Sequence, residues 1–421
     1  MNTVNILAEK KILLGVTGGI AVYKAVELCS KLVQARANVQ VLMTRSAQKF
    51  VQPLTFGAMS GRPPITDLWQ LYQGDKIGHV TLAHEADLFI IAPLTAHTLA
   101  RLAQGMADGP ITATALSTRA PLLIAPAMES NMWEHPATQA NLQLLVGRGA
   151  TVVGPEAGRL ASGKIGRGRM TEPAVIQEHA RMVLGRTGPL SGLRITITSG
   201  GTREWVDPVR FMGNRASGKM GVALARMARD QGAQVNLIYG AMSVEPPLGV
   251  NLVEAIRAED MLRATLDLLP DTDILISAAA IADFRPVTTH GSKLKKESGR
   301  GIQLERTPDV LKAVAEQRAK LGMPKLVVGF AAETSDLITN ATRKLESKSL
   351  EMIVLNDITA ADAGFGVDTN RVTILTRDGA AETLPLMDKE EVAFNILHRI
   401  RGLLGAQSIG WSPGIGSVIS S

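Results

Sequence analysis

The chain holds a single cysteine, Cys29, in 421 residues. One thiol cannot close an internal disulfide and cannot build a cysteine metal cluster. Aromatic residues are also sparse, at 4%. A nucleic-acid surface would more often show a dense basic stripe interleaved with aromatics. Here 45 Lys+Arg against 39 Asp+Glu give a net charge of +6, and the basic residues are spread along the chain. That balance fits small anionic ligands such as phosphates, or an ordinary solvated surface. No apolar run reaches the roughly 18 residues of a membrane span. The opening "MNTVNILAEKK" lacks a signal-peptide core bounded by a cleavage site. The expectation is a cytoplasmic protein with no nucleic-acid and no membrane partner.

What the chain does have is Ala, Leu, Val, Ile and Gly, with 45% apolar residues, a mix common in α/β proteins with parallel sheets. "KILLGV", a "TGGI" break, "AVYKAVELCSKLVQAR" and "NVQVLMT" read as strand, glycine turn, helix and strand. A right-handed crossover makes those strands parallel. "ADLFIIAP" and "APLLIAPAM" add strands, each ending in a turn of small residues. "GRTGPLSG" (185–192) punctuates the chain, and the pattern then starts again with "LRITITSGGT". Helix "GKMGVALARMARDQG" and strands "AQVNLIYG", "DILISAAA", "KLVVGFAAET" and "LEMIVLND" follow. The fold class is α/β: two doubly wound, Rossmann-like or flavodoxin-like domains with mostly parallel sheets. The expected boundaries are 1–188, 189–404 and a disordered Ser/Gly-rich tail over 405–421.

Ligands of open α/β sheets sit at the carboxyl ends of the strands. Gly18 and Gly19 lie at the first such end, where backbone N–H groups at a helix start can hold a phosphate; a tight turn without a ligand has the same signature. Thr44, Arg45 and Ser46 follow the second strand, and Thr95, Ala96 and Thr98 a later one. Several convergent polar strand ends suggest a nucleotide-like crevice. His79, His84 and His97 show no metal-ligand spacing, and by spacing alone His79 reads as structural or exposed more readily than as catalytic. "GRLASGKIGRGRM" (158–170) is poor in composition for helix and strand alike, and linker, phosphate cradle and mobile flap all stand. In the second half, Ser217 suits the cap of the helix in "SGKMG", Asp283 and Arg285 lie just past a strand end, "KLKK" (293–296) is a basic run on a loop, and Lys344 and Lys348 share a helical face.

"GVTGGIAVYK", "MTRSA", "GHVTLAHEADLFIIAPLTAHT", "PAMESNMW" and "SGKIGRGRM" resemble the flavin-dependent cysteine decarboxylases. With the second half, the resemblance over roughly residues 10–404 is to the bifunctional phosphopantothenoylcysteine decarboxylase/phosphopantothenate–cysteine ligase family of coenzyme A synthesis. It implies FMN as cofactor, with Gly18, Gly19, Thr44, Ser46, Thr95 and Ala96 around it and His79 as active-site base or orienting histidine. Oxidation of the substrate's cysteinyl thiol to a thioaldehyde makes an electron sink that lets CO2 leave. "GRLASGKIGRGRM" becomes the flap over the substrate. Two positions depart from the family pattern. Glu129 replaces an asparagine that contacts the substrate carboxylate, with Asn131 a possible substitute. Ser162 replaces a flap cysteine that assists the reduction step, and a serine does no thiolate chemistry near neutral pH. Those departures set an alternative beside the bifunctional reading: a ligase whose flavin-binding half is impaired.

For the second half the resemblance implies that CTP activates 4'-phosphopantothenate as an acyl-cytidylate and that cysteine displaces CMP. Asn214 contacts that intermediate and Lys293 stabilises the transferring phosphate. Ser277, Ala278, Ala279, Asp283, Pro308, Asp309, Val310, Leu311, Phe330, Lys344 and Lys348 line the CTP site. Mg2+ is expected on the triphosphate, because no carboxylate cage is evident for a protein-held metal. The family pattern also implies a homo-oligomer, trimeric through the flavin half and dimeric through the ligase half.

Overall fold

Apolar runs with no polar alternation form strands covered on both faces, and two such sheets organise the chain. The computed structural model describes residues 4–69, 71–72, 76–294, 301–333, 337–357 and 366–408. The chain falls into two units, Met1–Arg186 and Thr187–Ser421.

In the first unit the central sheet runs, edge to edge, Asn38–Met43, Lys11–Val16, Leu88–Leu94, Leu122–Pro126 and Thr151–Val152, all parallel. In chain order this is 2-1-3-4-5, the flavodoxin-like winding. The sheet feeds two separate cores, one built on Ile12, Leu14 and Val16 and the other on Leu13, Phe89 and Ile91. Helix Val22–Gln34 buries Val22, Ala25, Leu28, Cys29 and Leu32, the spacing of one helical face.

Cys29 is fully buried, and desolvation pushes its thiol up to about 11. At neutral pH it therefore carries essentially no thiolate, the form that reacts. Iodoacetamide at pH 7.5 should leave the native protein unlabelled over an hour and label it once per chain in denaturant. Intact mass reads both, and rapid labelling of the native protein would contradict the burial.

The main sheet of the second unit has, among the described residues, eight strands in the order Asn251–Glu254, Gln234–Tyr239, Arg194–Ser199, Ile274–Ser277, Leu326–Glu333, Met352–Asp357, Val372–Thr376 and Ala381–Thr383. The first six are parallel, the seventh pairs antiparallel with the sixth, and the eighth pairs antiparallel with the seventh. The parallel part is wound 3-2-1-4-5-6 in chain order, the Rossmann arrangement. The two antiparallel edge strands were not among the expected elements. The last helix, Lys389–Ser408, runs into the stretch expected as a tail from 405; residues 409–421 lie outside the described residues, as do Lys295 and Lys296 of the "KLKK" run. Among the described residues no helix is long and apolar enough to cross a membrane.

Candidate functional site

In a 2-1-3-4-5 sheet the winding reverses between the first and third strands, and the splayed loops there leave a crevice. Here those loops follow Lys11–Val16 and Leu88–Leu94. Buried Thr17 ties them: its hydroxyl donates to the Pro93 carbonyl at 2.7 Å and accepts the Thr95 N–H at 3.0 Å. A cleft of about 1850 Å³ opens above this junction. Gly18, Gly19, Thr44, Ser46, Thr95, Ala96, Glu129 and Ser162 all line it. The turn at Gly18 lies directly on the next strand's turn: a Cβ there would sit 2.4 Å from the Ser46 Cβ and 2.7 Å from its carbonyl carbon. Only glycine fits. The N–H groups of Gly18, Gly19, Ile20 and Ala21 donate to no acceptor among the described residues, and they stand at the start of helix Val22–Gln34, an anion-binding end.

The glycine-rich stretch 158–170 was expected to form neither helix nor strand. It forms a hairpin, Glu156–Arg159 against Ile165–Arg169. Tertiary contact overrides its weak propensity. The Met128 N–H donates to the Gly168 carbonyl at 3.0 Å, and Cβ atoms at 166 and 168 would meet the Ser130 hydroxyl at 2.2 Å and the Met128 carbonyl at 2.1 Å. The hairpin is thus seated closely on residues 128–130. Its turn carries exposed Ser162 at the cleft. Arg159 and Arg169 also line the cleft; Lys164 and Arg167 do not, and Arg167 donates to the Pro155 carbonyl at 3.1 Å.

Glu129 is half-buried and caps helix Ser130–Glu134, its Oε2 accepting the Asn131 N–H at 2.7 Å. One oxygen is thereby turned away from the cleft. The other, Oε1, is buried with no hydrogen-bond partner, as are the hydroxyls of Ser130 and Thr171. Buried polar atoms are normally satisfied, and of these three residues only Glu129 lines the cleft, so its Oε1 is the orphan that fits a polar ligand there. The N–H groups at 18–21, which have no acceptor among the described residues, fit the phosphate of a phosphorylated flavin in the same cleft. Two expected residues stand apart: Asn131 is exposed and outside the lining, and His79, half-buried on helix Gly78–Glu85, does not line the cleft of its own chain. Its Nδ1 is buried and unpartnered. Lys24 is a lining residue not expected from sequence: it is 7% exposed and donates to the Met170 carbonyl at 3.0 Å and to Glu172 at 2.7 Å, fastening the helix to the end of the hairpin. The signal was a lysine inside an otherwise apolar helical stripe.

In the second unit the winding reverses between Arg194–Ser199 and Ile274–Ser277. Past these ends Gly201 bridges to Ala241 and Ala280, and Asn214 lies over Gly201 and donates to the Ile281 carbonyl at 3.1 Å. The Ala278 and Ala279 N–H groups are taken by the carbonyl and hydroxyl of Thr198, so those residues can offer a ligand only carbonyl oxygen. Phe330 directly follows Gly329, the partner of Ser277. The Asp283 carbonyl accepts the Thr307 N–H, which brings Pro308 and Asp309 alongside. Asp309 caps helix Val310–Leu321, which also carries Leu311, through the Lys312 N–H and pairs with Lys348, whose amine burial lowers below the ordinary lysine value. Lys344 accepts the Lys348 N–H on its carbonyl. The Ser217 hydroxyl, expected as the cap, accepts the N–H of the first helical residue, Lys219, at 3.4 Å, but the residue at the N-cap position is Gly218. Helix Lys219–Asp230 is capped by Gly218 at φ 78°, a left-handed conformation that suits glycine. Lys293 is exposed. Among the described residues no group of three or more His, Cys, Asp or Glu side chains is arranged to hold a metal.

Residues 3–185 match the Flavoprotein family, and residues 190–403 match the DNA/pantothenate metabolism flavoprotein C-terminal domain. The coenzyme A biosynthesis bifunctional protein CoaBC of Bacillus subtilis (strain 168) is 45% identical over 401 residues, 94% of this chain and 98% of that protein. The crystal structure of the C-terminal domain of a CoaBC protein is 42% identical, covering 51% of this chain and 97% of that one with a TM-score of 0.44. An FMN-dependent cysteine decarboxylase, SpaF, is 32% identical over 41% of this chain and 95% of its own, with a TM-score of 0.36.

Proposed function

Because the chain belongs to the family of bifunctional coenzyme A biosynthesis proteins, we propose the order and the residues of its two reactions. It is a phosphopantothenate–cysteine ligase and a phosphopantothenoylcysteine decarboxylase. The ligase half joins cysteine to 4'-phosphopantothenate with CTP, and the flavin half decarboxylates the product to 4'-phosphopantetheine. The observation that carries this reading is similarity over 94% of the chain. It spans the flavin half as fully as the ligase half and gives no support to a ligase with an impaired partner domain.

FMN supplies the two-electron chemistry that turns the cysteinyl thiol into an electron sink. The residues' part is binding and orientation. The N–H groups of Gly18 to Ala21 and the exposed Ser46 suit its phosphate, while Thr44, Thr95 and Ala96 suit the rest of the cofactor. The hairpin covers the substrate and excludes water. Ser162 hydrogen-bonds the substrate there without thiolate chemistry. Glu129 holds Asn131 with one oxygen and turns the other to the substrate side. Within one chain His79 stands outside the cleft lining, which supports the reading that a second copy brings its histidine to that cleft in a trimeric flavin half; the dimeric ligase half rests on the family resemblance alone.

In the ligase half, activation of the carboxylate needs cations around a triphosphate and a polar group on the acyl intermediate. Lys293, Lys344 and Lys348 are the cations and Asn214 the polar group, with Mg2+ carried on CTP. Ser277 to Ala279, Asp283, the 308–311 turn and Phe330 receive the nucleotide. Incubating the full chain with 4'-phosphopantothenate, cysteine and CTP should yield CMP, pyrophosphate, CO2 and 4'-phosphopantetheine by mass. Accumulation of phosphopantothenoylcysteine without CO2 would overturn the decarboxylase assignment.

A further inference from the structure

Asp207 sits in the turn between strands Arg203–Trp205 and Phe211–Gly213, and its carboxylate is completely buried. The turn closes without it, since the Val206 and Asp207 N–H groups both donate to the Arg210 carbonyl. One carboxylate oxygen accepts the Val209 and Arg210 N–H groups, both at 2.9 Å. The other takes the Arg210 guanidinium, at 2.8 Å from Nε and 2.5 Å from Nη2. It also accepts the Leu294 N–H at 3.2 Å, from 87 residues away. Arg210 Nη2 completes the clasp by donating to the Leu294 carbonyl at 3.0 Å. Both polar backbone groups of Leu294 are therefore held by one ion pair, a buried carboxylate under an exposed guanidinium. At its other end the same segment is tied by the His290 N–H to the Val206 carbonyl and by the Thr289 hydroxyl to the Trp205 carbonyl, each at 3.0 Å.

Lys293 lies between these two fastenings, its side chain exposed. The hairpin that carries Asp207 continues directly into Asn214. We infer that Asp207, with Arg210, is a positioning residue for ligation: it fixes the backbone at Leu294 so that Lys293 is held over the same crevice as Asn214. The inference rests on the proposed role of Lys293. Charge-assisted hydrogen bonds are the short and strong ones, and displacement of a catalytic group by about 1 Å can cost about 100-fold in rate.

The test is a double-mutant cycle in the full-length protein with Asp207→Asn, Lys293→Gln and both. CTP-dependent pyrophosphate release in the presence of 4'-phosphopantothenate gives kcat and KM. Asp207→Asn should lower kcat about 30-fold and leave KM for CTP within about twofold. Added to Lys293→Gln, it should cost less than about twofold more, since groups acting through one another are not additive. Bound flavin and decarboxylation of preformed phosphopantothenoylcysteine should stay at wild-type levels, which reports an intact first unit, and the unchanged KM for CTP reports that the second unit still folds. If Asp207→Asn does not fold, Arg210→Lys keeps a positive charge beside Asp207 but loses the fork that also reaches the Leu294 carbonyl, and it should reproduce the kcat loss. A wild-type kcat, a loss confined to KM, or an undiminished loss in the Lys293→Gln background would overturn the positioning role. Full activity of Lys293→Gln alone would instead sink the assignment of Lys293.

Discussion

Replacing Lys293 with glutamine lowers CTP-dependent amide formation by about 100- to 1000-fold, the loss seen when one preorganised stabiliser of transition-state charge is removed. The lysine is exposed, and its segment is fastened at 289–290 and at 294. The backbone that carries it is therefore fixed, while its ammonium stays open to an incoming phosphate. Glutamine keeps the hydrogen-bond donor but removes the charge. Lys293→Arg restores the charge as a planar fork and should recover only part of the rate, since a guanidinium is not a point charge. Pyrophosphate release reads the activation step, and bound flavin in the same sample reports an intact first unit. Amide formation at the wild-type rate in Lys293→Gln would remove this lysine from the mechanism.

The second large effect is expected at Gly18. Valine there has nowhere to put its Cβ, which would fall 2.4 Å from the Ser46 side chain and 2.7 Å from its backbone. The obstruction is partly main chain, so it cannot rotate aside. The turn after Lys11–Val16 must lift away from the turn after Asn38–Met43, and the N–H groups of residues 18–21 move with it. Gly18→Val should purify colourless, with flavin affinity weakened at least about 100-fold, close to 3 kcal/mol. Decarboxylation is lost with the cofactor, while the ligase half still makes phosphopantothenoylcysteine, which accumulates. A variant that keeps one visible flavin per chain would show that this turn does not hold the cofactor's phosphate.

Much of the framework is legible in sequence because buried parallel strands read as plain apolar runs. "KILLGV", "LFIIAP" and "ITITS" announce themselves, and the crevices follow from the order in which such strands are wound. What escaped reading depends on contacts between distant residues. The hairpin over 156–169 has poor strand propensity, and it forms because Gly166 and Gly168 press against residues 128–130. Ser217 looked like a cap and does accept the Lys219 N–H, but the left-handed Gly218 at the N-cap position was not foreseen. Ala278 and Ala279 were expected at the nucleotide site, and their N–H groups are already taken by Thr198. The Asp207–Pro208 pair marks a turn in the sequence, with nothing nearby to reveal its hold on Leu294. His79 carried the family motif but lies outside its own chain's cleft lining.

The seating of the hairpin also separates two jobs that one short segment performs. Its anchorage is the close approach of glycines 166 and 168 to residues 128–130, so the identity of the residues at its tip is irrelevant to whether it docks. The tip is a replaceable cassette. A thiol in place of the hydroxyl at 162 would change the chemistry at the cleft and leave untouched the contacts that seat the hairpin.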